Sequence, residues 1–336
     1  MAQLTPNLRQ TYGAVGIRED LSDIIYNISP MDTPFMNGIG KGTCNNTQFE
    51  WQTDELTAAA ANRQVEGDSP DAIAVSEPRR LSNYTQISHK TVMTSGTAEA
   101  VDFAGRRSSQ AYQLAKRAKE IKRDMEKMLL DNTVKSAGVG SPAAARATAG
   151  FNAWIGTDAT GTSNIIDASA TPDVGVVNQG APAVGYPDGS SVGSASLPAV
   201  ALTLDAINLA VSRVWDLGGT PDVMMCSGAL KQTISGLGAS VVADLQKNVG
   251  DSAATAVNAV DVLVTDFGTF QIVPNRFCLA NQVYIIDYDL WSLDYLRPFK
   301  TETLAKDGDG IKQMMIAEYG LRAKNGNGNG LILGCS

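Results

Sequence analysis

The chain has 336 residues, room for one large or two ordinary domains, and 43% of them are apolar, which excludes a disordered polypeptide. Only 18% are charged, below the usual level of about a quarter, which fits a protein that buries much of its surface against copies of itself. The net charge of −8 excludes nucleic-acid binding through overall charge.

The first 40 residues read as an arm with little periodicity. Leu21, Ile24, Ile25 and Ile28 recur at helical spacing, and the run stops at Ser29-Pro30, because the residue before proline avoids the α region. Asp32-Thr33-Pro34 sets a turn. From Thr47 to Thr53 apolar and polar residues alternate, with Phe49 and Trp51 on one face, which predicts a strand. A polar, Ala-rich excursion runs from Asp54 to Arg80. A second β-leaning run then returns from Leu81 to Thr94 and passes near Val101 into a long helix without a break. Two strands with a long polar tip are marginal in water alone, and a structureless loop of this length is uncommon unless it has a job. The stretch therefore reads as an arm that lies on another subunit, which points to assembly rather than catalysis.

The helix is predicted over Ala104 to Asn132, with Ala104, Ala111, Leu114, Ala118, Ile121, Met125 and Met128 on one stripe. It is the basic part of an acidic chain. Residues 101–137 hold nine Lys/Arg against five Asp/Glu, whereas residues 138–300 hold seven against fourteen. Either this is a solvated face with i, i+4 pairs, or it is a surface turned toward packaged nucleic acid or an acidic neighbour. Residues 137–200 change to Gly, Ala, Ser, Thr, Pro and Asp around a hydrophobic island, Phe151 to Ile155. This predicts an insertion on an exposed face or a connector.

From Leu202 the pattern becomes α/β-like. A helix through Leu204, Ile207, Val211, Val214 and Trp215 ends at Gly218-Gly219, Pro221 to Cys226 is a buried strand, and Ser227 caps a helix over Ala229 to Gly236. Strands are predicted at Val260–Thr265, Thr269–Val273, Val283–Asp287 and Trp291–Leu296, with further runs at Lys300–Leu304 and Ile311–Arg322. Asn325 to Gly330 reads as flexible punctuation before an apolar Leu331-Ile332-Leu333.

No constellation for chemistry emerges. The single histidine, His89, lies in the return strand without an acidic partner nearby in sequence. Cys44, Cys226, Cys278 and Cys335 are widely spaced and form no metal or redox motif. Gly38 to Thr43 fails the phosphate-loop pattern at Phe35 and Gly42, Asp307 to Gly310 fails the calcium-loop pattern at Ala305 and Ile316, and no nucleophile elbow is present. The reading is a non-enzyme with no catalytic, cofactor or metal site. Met1 to Arg9 lacks a signal-peptide core, and no apolar run approaches the ~18 residues of a membrane helix. Synthesis in a reducing cytoplasm with free thiols is the expectation.

Several segments carry a family resemblance in order and spacing. They are Thr33-Pro34-Phe35, Glu50 to Leu56, Glu66-Gly67, Asn83 to Ile87, Ser95-Gly96-Thr97 and Ala149-Gly150-Phe151 before Trp154 to Thr157. Further on come Asp266 to Arg276, Tyr284 to Asp287, Leu304 to Asp309 and Glu318 to Asn325. Together they resemble the major capsid (major head) proteins of tailed bacteriophages. The resemblance covers nearly the whole chain and thins at the N-terminus, across Asp158–Pro198 and after Gly326.

It implies an α+β HK97-like capsid fold. Residues 1–40 would be the N-terminal arm, and 41–100 the extended β-hairpin loop and its base. Residues 101–200 would be the peripheral domain's spine helix plus the insertion, 201–290 the axial domain, and 291–336 the peripheral return strands and tail. It further implies pentamers and hexamers that close into an icosahedral head around double-stranded DNA, contacted non-specifically. A separate scaffolding protein, a portal and a decoration protein would be partners, and a membrane would not. The location would be the virion, after assembly in the host bacterial cytoplasm. Glu50, Trp51 and Asp54 at the hairpin base, with Arg63, Glu66, Arg79 and Arg80 toward its tip, are the candidate inter-subunit contacts. Trp51 has the alternative of filling its own subunit's core. Rival readings are an encapsulin-like nanocompartment shell and, from other classes, a tail-tube or adhesin protein, or an α/β enzyme with a lid at 54–80.

Overall fold

The computed structural model describes residues 31–54, 56, 59–67, 77–103, 107–141, 144–156, 164–168, 187–190, 199–242, 260–306 and 308–336, with the side chains of 238–242 left aside. The expected helix at 17–28 lies outside these residues.

Three sheets organise the described residues. A four-stranded sheet has the order β1 (Gly40–Thr43), β10 (Trp291–Thr303), β11 (Gly310–Ala323), β4 (Gln86–Ser95). A six-stranded sheet runs β5 (Ile165–Asp167), β12 (Gly330–Leu333), β9 (Val283–Ile286), β6 (Val223–Cys226), β8 (Gly268–Pro274), β7 (Val262–Thr265). The third is a hairpin of β2 (Gln48–Thr53) and β3 (Arg79–Tyr84).

Strands β5, β12, β9 and β6 of the six-stranded sheet are buried on both faces, whereas the edge strand β7 and much of β8 are exposed, and the buried side chains divide by the period-2 rule. Val223, Met225, Tyr284, Ile286, Leu331 and Leu333 join one hydrophobic cluster; Met224, Cys226, Val283, Ile285 and Ile332 join the other. Helix α4 (Leu204–Asp216) fills the second cluster with Ala206, Ile207, Ala210 and Val211, and α5 (Gly228–Val242) adds Leu230 and Ile234. Thr203 caps α4 by accepting from the Ala206 N–H, and Gly218 ends it at φ +83°, a left-handed conformation that glycine adopts without strain. The sheet takes β5 and β12 from segments outside 201–290, so its strands are gathered from three parts of the chain.

The first cluster is continuous with the four-stranded sheet. Helix α3 (Ser109–Leu130) supplies Ile121, Met125, Leu129 and Leu130, and β10 and β11 supply Trp291, Leu293, Tyr319 and Leu321. At its centre Phe151 stacks on Trp291 at 4.6 Å and meets Tyr284 edge-on at 5.3 Å, while Phe35 meets Phe151 edge-on at 6.0 Å. The island of residues 151–154 is therefore a fully buried 3₁₀ turn. Phe35 belongs to α1 (Pro34–Gly38), a short helix after the Thr33-Pro34 turn.

Several expectations are corrected. The long helix does not follow the return strand without a break. A short α2 (Gly96–Ala100), capped by Ser95, intervenes, and α3 starts only where Ser108 accepts from the Ala111 N–H. It has 22 residues, so it is about 33 Å long. The return run is two strands in two sheets, divided at Thr85, whose N–H donates to the Thr47 carbonyl and whose hydroxyl donates to Glu318. The segment Asn325 to Gly330 is a buried joint rather than flexible punctuation. A 3₁₀ turn at Gly326–Gly328 is flanked by Asn325 and Asn329, whose side chains bind neighbouring backbone. A Cβ on Gly326 would meet the Trp154 carbonyl oxygen.

Candidate assembly surfaces

The β2–β3 hairpin is anchored at its root, and the described residues beyond the root are exposed. At the root, Phe49 and Leu81 are buried. Asn83 donates to the Leu321 carbonyl at 2.6 Å and to the Thr148 hydroxyl at 2.9 Å, and accepts from the Ala149 N–H at 3.0 Å. Toward the tip, Leu56 is 97% and Val65 77% exposed, far more than large apolar side chains keep when they have a protein surface to cover.

The seven candidate contact residues divide along that axis. Glu50 and Arg80 face each other across the hairpin, with Arg80 Nε donating to Glu50 Oε2 at 2.6 Å. Trp51 is half-buried, stacked on Phe49 at 5.7 Å and tilted against Trp154 at 5.3 Å, so it adds to its own subunit's core. Arg322 lies over both Phe49 and Trp51, 5.7 and 5.9 Å from the ring centres. Arg79 is half-buried at the start of β3, opposite Thr53, and Asp54 is exposed. Arg63 and Glu66 are exposed and form no ion pair among the described residues. Glu50, Trp51 and Arg80 are thus brought together at the root, and Arg63 and Glu66 are carried outward.

Two buried carboxylates that the sequence did not single out hold the parts around this hairpin together. Glu318, 3% exposed, accepts from Arg146 at 2.6 Å, Arg297 at 2.8 Å and the Thr85 hydroxyl at 2.9 Å, which fixes the point where β3 gives way to β4. Glu126, on α3 and fully buried, accepts the N–H groups of Phe35 and Met36 at 2.8 Å each and the Asn275 amide at 2.7 Å. It joins the α1 segment, the long helix and the end of β8. Burial pushes its pKa up, and these three hydrogen bonds pull the other way. The signal for Glu318 was its place in the Glu318-Tyr319-Gly320 segment. For Glu126 no signal existed, since a glutamate on a basic helix reads as solvated.

Among the described residues no side chains come together as an active site. His89 is exposed on β4. Burial raises the thiol pKa of Cys226 to about 11 and that of Cys335 to about 12, so neither is a thiolate at neutral pH. Among the described residues no group of His, Cys, Asp and Glu is placed to hold a metal, and no helix is long and apolar enough to cross a membrane. An open groove between β4 and α3, lined by Thr91, Thr94, Ser95, Ser109 and Arg117 among others, contains no carboxylate, imidazole or thiol.

The conserved pattern of the SU10 major capsid protein family matches residues 5–336. The chain belongs to that family. It is 29% identical over 341 residues to a major capsid protein of Escherichia phage Phieco32, with 97% of each chain covered. Among solved structures, the capsid of cyanophage A-1(L) superposes with a TM-score of 0.68 at 13% identity, covering 95% of this chain and 97% of the other. The capsid of a native GTA particle gives 0.60 at 11% identity, covering 97% and 98%. A chain of Mycobacterium phage Adephagia gives 0.56 at 13%, covering 97% and 98%. These likenesses show the HK97-like capsid fold expected from the sequence. The molecule is a major capsid protein of a tailed phage, a structural protein of the virion that assembles with copies of itself.

Proposed function

We propose that this major capsid protein builds pentamers and hexamers that close into an icosahedral head around double-stranded DNA, and that the 41–100 hairpin completes its contacts on a neighbouring subunit. In this reading the segment before residue 40 is an arm, α3 with the four-stranded sheet is the peripheral part, and the six-stranded sheet with α4 and α5 is the axial part. The observation that carries it is the asymmetry of the hairpin. Its root is fastened by Asn83, Phe49 and Leu81, while Leu56 and Val65 stand almost free of their own chain. Two paired strands with an exposed apolar tip gain little stability alone and gain it by lying on a second surface.

Assembly takes place in the host bacterial cytoplasm with a separate scaffolding protein, a portal and a decoration protein as partners. The protein performs no catalysis and needs no cofactor. Deleting Ala58–Asp71 tests the central claim. The shortened chain is expected to stay folded and soluble but to close no shells, and normal particles by negative-stain microscopy would overturn the reading. Purified heads that contain DNA support the phage-head role, whereas DNA-free shells loaded with an enzyme would support a nanocompartment.

A further inference from the structure

We infer that the outer edge of β4 pairs with the same edge of a second copy, antiparallel about a two-fold axis, so that Ile87 lies opposite the partner's Met93 and His89 opposite the partner's Thr91. This contact is separate from the hairpin arm and does not depend on where the arm docks.

Strand β4 is the outer strand of the four-stranded sheet, ten residues long and paired to β11 without a register shift. Leu304 donates its N–H to the Lys312 carbonyl at 2.9 Å, so Lys312 and Met314 turn their backbone groups toward β10, and the residues beside them turn theirs toward β4. By the register, Lys90, Val92 and Thr94 take those bonds. Ile87, His89, Thr91 and Met93 therefore direct both N–H and C=O outward. Thr85 follows the same alternation and sends its N–H outward to the Thr47 carbonyl at 2.8 Å, where the chain entering β2 covers the edge. From Ile87 onward nothing among the described residues bonds the outward groups.

A long bare edge is a template for another strand, and proteins commonly block it. The other edge strands of the two larger sheets, β1, β5 and β7, have only three or four residues. Strand β10 runs on past Tyr295, its last partner on β1, but there it carries Pro298, two register shifts and the Lys300–Glu302 ion pair at 2.9 Å. Strand β4 has none of these devices. Its one lysine, Lys90, is drawn to Asp124 of α3 at 2.8 Å. Beside the open backbone it displays Ile87 and Met93, 43% and 57% exposed. A chain that assembles with copies of itself can leave such an edge open, because a copy closes it.

The edge is self-complementary in one register. Only residues with outward backbone groups can face each other, which allows slips of two residues and no single steps. With Ile87 opposite the partner's Met93, both exposed apolar side chains gain an apolar partner, and the two-fold axis repeats the pair. A slip one way sets Met93 against His89. A slip the other way needs the Thr85 N–H, which Thr47 already holds. The side chains of Ile87, His89, Thr91 and Met93 are exposed, so their face is free to extend across the axis. On the other face the groove beside β4 is lined by the small Ser95, Ala98 and Ser109, and by Arg117, which is bonded to Glu120 at 2.5 Å. With Lys90 and Arg117 both neutralised, two copies meet without like charges in opposition.

Cysteine trapping tests the register. Ile87→Cys and Met93→Cys are combined in the full chain, produced with the other head-assembly proteins. Within one chain the two positions are roughly 20 Å apart, too far for a disulfide, whereas in the paired edges each faces the other. Purified particles treated with diamide are expected to give about tenfold more covalent dimer than either single variant. No dimer from the double variant, or equal dimer from the single ones, would overturn the inference and leave the capsid reading in place. A charge pair decides the matter if the double-cysteine chain forms no particles. Ile87→Lys with Met93→Lys opposes like charges across the axis and is expected to lower the yield of closed shells about tenfold, with unchanged melting of the soluble subunit. Ile87→Lys with Met93→Glu turns each opposition into an attraction and is expected to restore most of that yield. Normal yields from the first variant would overturn the inference. So would a loss that the second does not repair, since that result would give the edge to a different strand.

Discussion

The indole Nε1 of Trp291 donates to the Oδ1 of Asn329 at 2.9 Å, and both residues are fully buried. The same oxygen accepts the Asp287 N–H at 2.9 Å, and the Asn329 carbonyl accepts from the Asn164 amide at 3.0 Å. One asparagine thus ties the first residue of β10, in the four-stranded sheet, to strands β9, β5 and β12 of the six-stranded sheet. A buried donor left without an acceptor costs about 1–3 kcal/mol, more than a made bond returns. Asn329→Ala strands two such donors and is expected to lower the stability of the soluble subunit by about 2–4 kcal/mol. Asn329→Asp keeps the acceptor oxygen but places a carboxylate with no cation beside it in a fully buried site and turns the amide that donates to the Asn325 carbonyl into a second acceptor, so it is expected to destabilise as well. Chemical denaturation of the three proteins checks this, and equal midpoints would refute it.

Glu126 gives a pH dependence with a definite sign. Its carboxyl lies above the ordinary value of 4.5 in the folded protein because burial outweighs the hydrogen bonds from Phe35, Met36 and Asn275. A raised folded pKa means the folded state binds the proton more tightly than the unfolded chain does. The contribution is full below pH 4.5 and is lost as pH rises through the folded pKa. Glu126→Gln, which holds its proton count constant, is expected to lose less stability than the parent over that rise, as measured by denaturant midpoints at several pH values. Glu126→Ala leaves three donors unsatisfied and is expected to cost about 3 kcal/mol or more at any pH. A parent and Gln variant with parallel pH profiles would show that the carboxyl is not perturbed.

Periodicity made the local elements legible. Strands β6, β8 and β9 and helix α4 lie where Val223, Ile272, Val283 and Val211 set the pattern, because each buries a regular face. Phe49 and Trp51 shared a face in the sequence and stack in the structure for the same reason. What escaped was set by contacts distant in the chain. The break at Thr85 depends on Glu318, 233 residues away, and no local preference marks it. Asn325 to Gly330 has the composition of a flexible linker, yet its glycines allow close backbone approach to Trp154 and its amides find buried partners. Charge and exposure placed Arg63 and Glu66 outward, but only the fold shows Glu50 and Arg80 engaged with each other and Trp51 packed on Trp154.

Glu318 is the buried acid whose loss should be felt farthest from its position. Arg146, 26% exposed, and Arg297, 53% exposed, both point at it, so a change at Glu318 strands the Arg146 cation in a half-buried site without its counter-charge while Arg297 turns to water. Breaking a buried ion pair from one side costs about 3–5 kcal/mol, chiefly through the stranded charge. Glu318→Ala is expected to lose that amount, whereas Arg297→Ala, whose side chain is 53% exposed and whose removal leaves Arg146 in place, should lose about 1 kcal/mol. The Thr85 hydroxyl loses its acceptor in the first variant only, so protease cleavage near residues 84–86 should rise in Glu318→Ala and not in Arg297→Ala. Equal protection in the two variants would mean that the division between β3 and β4 does not depend on this carboxylate.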